Sequence, residues 1–238
     1  MANTPKKKPV EKTRARVEEM RAAQRAAERR RTMLLVSVAV VVALGLIAAV
    51  AIPLILKSRE ANKPISEIGV SAAAAGCGEV FNDPATGTNE HVGEGTDTPD
   101  ITHVDYDTNP PDHGQHFAVP AGIDRHFYTP SDTPPVEQLV HNLEHGYTIV
   151  WYDSAVSDSE IDQLKDLSER IPNSVPKFIV APWDESRGDF PDGAGDIALT
   201  HWSTDAGHRQ YCGKVSGEAV QSFMTQFPYT DSPEPDAA

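Results

Sequence analysis

Apolar residues fall along this chain in three rhythms, and each predicts a different kind of element. The first is unbroken: Met33 to Leu56 is a 24-residue run interrupted only by Ser37, Gly45 and Pro53, long enough as a helix to cross a hydrocarbon core of about 30 Å. It is longer, and lies farther from the start, than the apolar core of about 7 to 15 residues in a cleaved signal peptide. A single transmembrane helix is the expected element.

The second rhythm is helical. Val136, Leu139, Val140 and Leu143 recur at the spacing that gives one apolar face, so Glu137, His141, Glu144 and His145 share the opposite one. Thr133 is placed to cap this helix, Pro134 suits its first turn, and Gly146 can take the left-handed conformation that stops it. Ser157 with Glu160 forms a capping box before Ile161, Leu164, Leu167 and Ile171, a stripe that Pro172-Asn173 should end. Ser216 to Phe227 repeats the pattern through Val220, Phe223 and Phe227.

The third rhythm is short and continuous, as in buried strands: Tyr147 to Tyr152, Lys177 to Ala181 and Asp196 to Trp202. The order helix, strand, helix, strand, strand, helix predicts an α+β fold, a small mixed α/β sandwich behind an N-terminal transmembrane helix. No internal repeat is present. Phe81 to Thr133 follows none of these rhythms and is expected to be a long irregular loop, which is unusual unless it serves a site. It carries His91, His103, His113, His116 and His126, two of them in the turn Asn109-Pro-Pro-Asp-His113-Gly-Gln-His116, where the prolines and glycine fix the backbone.

Charge orients the span. Residues 1–31 carry eleven Lys/Arg against four Glu, a local +7, which leaves −21 for the rest of a chain whose net charge is −14. Arg29, Arg30 and Arg31 abut one end of the span, whereas Lys57, Arg59 and Lys63 at the other are diluted by Glu60 and Glu67. Positive charge stays on the cytoplasmic side. The expected organisation is a basic cytoplasmic tail over 1–32, helical from about Val10 to Arg31, a plasma-membrane span over 33–56, a linker over 57–76, an extracytoplasmic α/β domain over 77–230 and a disordered tail over 231–238. The basic tail beside the span suits anionic lipid heads rather than nucleic acid, and the acidic remainder disfavours polyanions. Cys77 and Cys212, the two cysteines present, fall on the oxidising side of that topology, where a disulfide is the default.

Three kinds of chemistry can be built from these residues. His141 and His145 stand one helical turn apart, and with His116 they could bind one ion, Glu144 acting as ligand or orienting acceptor. Such donors suit zinc or copper(II), while Met224, alone among methionines beyond the span, argues against a thioether copper(I) site. Alternatively, His141-Asn-Leu-Glu144-His145 matches the H-x-x-E-H pattern of inverted zinc peptidases, in which the glutamate deprotonates metal-bound water and Glu218 could supply a distant carboxylate ligand. The third reading is a domain that docks to another membrane protein, its His and Glu pairing structurally. Asp105, Asp107, Asp112 and Asp124 lack calcium-loop spacing and read as a solvated acidic loop. No residue is assigned a catalytic role.

Asn109-Pro-Pro, Gly114-x-His116 and Val140-His-Asn-Leu-Glu-His-Gly146 ahead of an aromatic-rich strand, with Ala198-Leu-Thr-x-Trp202 and Pro233-Glu234, resemble the uncharacterised, mainly actinobacterial family called domain of unknown function 3105. The resemblance covers about Cys77 to Glu234 and implies a single-span anchor and a His/Glu site, with no reaction attached. The family's turn reads Pro-Pro-Thr-Ser-Gly-x-His, so Asp112-His113 departs from it and His116 alone carries over from that turn.

Overall fold

The computed structural model describes residues 8–61, 63–85, 89–122, 124–171 and 177–237. Two compact units divide the chain at Asn62 and Lys63. The first is one helix, α1 (Lys8–Ala61), in which the basic tail and the apolar run are continuous. Its Thr13–Arg59 portion is long and apolar enough to cross a membrane.

The second unit is built on a five-stranded sheet. Its strands are β1 (Phe81–Pro84), β4 (Thr148–Tyr152), β5 (Phe178–Pro182), β6 (Ile197–Trp202) and β7 (Ala206–Cys212), in the order β1-β7-β6-β4-β5. Within this sheet β4 and β5 pair in parallel, and the helix α3 (Asp158–Arg170) connects them, as parallel neighbours require. Strand β4 is buried on both faces, which explains its unalternated apolar run. Ile149 and Trp151 point to one core with Ile179, Ala181 and Ala198, under the helix α2 (Val136–Glu144). Val150 and Tyr152 point to the other with Phe178, Val180 and Leu199, under α3 and α4 (Gly217–Gln226). Helices therefore cover both faces of the sheet.

The helix starts follow their local chemistry with one exception. Glu160 accepts from the Ser157 N–H and hydroxyl at the start of α3, and Ser216 Oγ accepts from Ala219 N at the start of α4. Helix α2 instead begins after Pro135, and Thr133, expected as its cap, donates its hydroxyl to Thr129 O at 2.8 Å. Two successive prolines hold the backbone extended before the first turn. Pro172-Asn173 lie outside the described residues.

Two expected boundaries are corrected. Residues 63–76 are folded rather than a linker: Ile68 and Ala75 are buried in the core, Val70 N donates to Val215 O and Gly213 N to Ala75 O. Residues 231–237 are likewise held rather than disordered. Ser232 is buried, and the Lys177 ammonium donates to the Pro235 and Ala237 carbonyls.

Strand β7 has no apolar alternation because its polar residues have partners. His208 stacks on Phe227 at 3.8 Å between ring centroids, and the Arg209 guanidinium binds Asp83 and the buried Asp112. A disulfide joins Cys77 to Cys212 at the end of this strand.

Candidate metal centre

Helix α2 is buried on every side, so its polar face does not look at water. The irregular segment covers it, and side chains of α2 hold that segment down. Asn142 Oδ1 accepts from Ala121 N at 3.0 Å while its amide donates to Ala121 O at 3.2 Å. Glu137 accepts from Val104 N and takes both carboxylate bonds from Arg187, at 2.8 and 3.0 Å. Burial without such partners would be costly for this carboxylate.

The covering segment itself contributes β2 (His91–Val92) and β3 (His116–Phe117), a two-residue parallel pair that sets the exposed His91 beside the buried His116. The imidazoles of His91, His116 and His141 converge on the Glu144 carboxylate, with one donor atom from each of the four residues lying within 4.8 Å of the others. His116 Nε2 is 2.9 Å and His91 Nε2 3.6 Å from Glu144 Oε2. His116 and Glu144 are fully buried.

Two backbone carbonyls fix the tautomers. His116 Nδ1 is 2.8 Å from Gly114 O, and His141 Nδ1 is 2.6 Å from Phe117 O. A carbonyl only accepts, so each Nδ1 carries a proton and each ring turns its Nε2 inward. Gly114 suits the backbone this requires, at φ 128°.

Burial, reinforced by the neighbouring histidines against the opposing pull of the Phe117 carbonyl, lowers the His141 pKa to about 4. Its lone pair is thus available at neutral pH. Burial alone would raise the Glu144 carboxyl, but the His116 hydrogen bond and the charges of His116, His91 and His141 outweigh it and leave Glu144 below its ordinary range. Its second oxygen, Oε1, is buried with no hydrogen-bond partner among the described residues.

Helix α2 ends at His145, and the chain turns at Gly146 with φ 90°. A Cβ at Gly146 would meet Tyr229 O at 2.5 Å, so glycine allows the C-terminal segment to lie against the helix end. That contact brings up Glu234, whose N–H donates to Glu144 O at 3.0 Å. His145 Nε2 is 3.6 Å from Glu234 Oε2 and 3.0 Å from His141 Nε2. Glu144, His145 and Glu234 form a second group of converging donors.

Of the residues singled out in the sequence, His116, His141 and Glu144 meet directly, and His145 lies at the edge, grouped with Glu234. His91 and Glu234 join them. Nothing near His91 marks it, since a two-residue strand has no readable period. Glu234 carries a weak signal as part of the Pro233-Glu234 stretch. Glu218 is elsewhere, accepting from Ala72 N at 2.8 Å, so it is not the distant ligand a peptidase would need. His113 bonds Asp112 at 2.6 Å. Asp112 is buried against Arg209 rather than solvated, because the guanidinium offsets its charge.

A family model described as "Protein of unknown function (DUF3105)" matches residues 98–238, a segment that includes His116, His141, Glu144, His145 and Glu234. No curated protein and no solved structure matches the chain. The match spans more than half of the sequence, and the chain belongs to the DUF3105 family.

Proposed function

We propose that this protein is a single-pass membrane-anchored domain that holds a divalent transition metal, zinc or copper(II), at His91, His116, His141 and Glu144, in a binding or assembly role. The contact between His116 and Glu144 carries the reading. With Nδ1 committed to Gly114 O, His116 turns its Nε2 onto a carboxylate oxygen at 2.9 Å, a contact that a positive charge between the two atoms must hold. A proton could do so for this pair alone. A metal ion also uses the Nε2 of His141 and the ring of His91. Three imidazoles and one carboxylate are a donor set for zinc or copper(II).

Such an ion would join the irregular segment, through His91 and His116, to α2, through His141 and Glu144. It supplies Lewis acidity and a fixed geometry when bound, and the chain supplies the orientation. Glu144 stands among the would-be ligands rather than beside them, which favours binding over the H-x-x-E-H hydrolytic reading. Metal analysis of the full chain in detergent, stripped with chelator and reloaded, should find zinc or copper retained through gel filtration and lost in His116→Ala. A wild-type chain that retains neither metal sinks this reading.

The same proposal places the N-terminus in the cytoplasm and the acidic unit outside the plasma membrane. Arg29 to Arg31 beside the apolar run and the disulfide in the second unit support it. Protease added to intact spheroplasts should degrade the acidic unit and spare the basic tail. Protection of the acidic unit until lysis would reverse the orientation.

A further inference from the structure

We infer that the cluster takes two divalent transition-metal ions, with Glu144 shared between a first position at His91, His116 and His141 and a second at His145 and Glu234. This inference rests on the metal-binding reading above and deepens it. The two groups of converging donors have Glu144 alone in common. Its Oε2 faces His116 and His91. Its Oε1 is buried without a hydrogen-bond partner among the described residues, although a buried carboxylate oxygen ordinarily accepts at least one bond. A carboxylate that gives one oxygen to each of two ions satisfies both.

Ligand number points the same way. The six side chains would overfill a single zinc ion, which takes four ligands in most protein sites. Divided at Glu144, they supply four donors to the first ion and three to the second, leaving the second open to solvent or a partner. Charge agrees as well: a second dication beside the first needs a further anion, and Glu234 is that anion.

Glu234 is also placed by more than its own side chain. Its N–H donates to Glu144 O, while the Lys177 ammonium donates to the carbonyls of His145, Pro235 and Ala237. The end of α2 and the C-terminal segment are thereby tied together at the second position. His141 Nε2 and His145 Nε2, 3.0 Å apart, mark where the two positions adjoin.

The test is zinc stoichiometry on the full chain in detergent, read by elemental mass spectrometry after chelator stripping, reloading and gel filtration. Wild type should hold two zinc ions per chain, and Glu234→Ala and His145→Gln should each hold one. Cobalt(II) titration should show two successive changes in the visible spectrum for wild type and only the first for either variant. One ion in wild type and in both variants overturns the inference while the metal reading stands. Two ions in every variant likewise overturns it, since the second would then lie elsewhere. A wild-type chain holding none overturns both.

Discussion

Glu144→Gln should lower metal affinity on the order of 100-fold or more, the upper end of what losing even an indirect ligand partner costs. The substitution keeps the shape of the side chain and removes the negative charge on which His91 and His116 converge at 3.6 and 2.9 Å. The measurement is competition with a chromophoric chelator on the full chain, with far-ultraviolet circular dichroism checking that the fold survives. The hydrolytic reading of His141-Asn-Leu-Glu144-His145 expects the opposite. There Glu144 acts on metal-bound water without holding the ion, so the glutamine variant should keep its metal and lose turnover. Metal-dependent cleavage of a peptide mixture by wild type, abolished in Glu144→Gln with occupancy unchanged, would make this an enzyme.

Elements whose stability comes from a single apolar period could be read from the sequence. Strands β4, β5 and β6 and helices α3 and α4 begin and end within a residue or two of where their patterns place them, apart from the α3 end that Pro172-Asn173 would set. Strand β7 could not be read this way, because His208 and Arg209 are buried through stacking and ion pairing, which no local pattern reports. The helix carrying the site was legible as a helix, but its polar face was not legible as buried. What buries it is a segment without periodicity, held by Asn142, Glu137 and the two carbonyls that fix His116 and His141. Spacing four apart correctly identified His141 and His145 as neighbours. It could not show that the register of a two-residue strand brings His91 in, nor that Gly146 admits the C-terminal segment carrying Glu234. Residues 63–76 were misread for a related reason: their contacts are with β7 and α4, far along the chain, and their own composition resembles a stalk.

Replacing Cys77 and Cys212 together by serine should cost about 4 to 5 kcal/mol by the loop-entropy relation, given a sequence separation of 135. That is a large share of the roughly 5 to 15 kcal/mol that a domain has in total. The loss should appear mainly as a lower midpoint rather than as a missing fold. Gly78 N still donates to Tyr211 O, Val70 N to Val215 O and Gly213 N to Ala75 O, and these bonds lie along the same seam that the disulfide closes. What the crosslink removes is the freedom of the unfolded chain between its ends. Guanidinium unfolding of the full chain, followed by the fluorescence of Trp151, Trp183 and Trp202, should therefore show the midpoint falling while the starting spectrum is unchanged. A shift equivalent to less than about 1 kcal/mol would mean that the unfolded chain is already compact across this loop, the usual reason such crosslinks fall short of the entropic value. Reductant should reproduce the effect in wild type and leave the double variant unaltered, because only the former has the bond to lose.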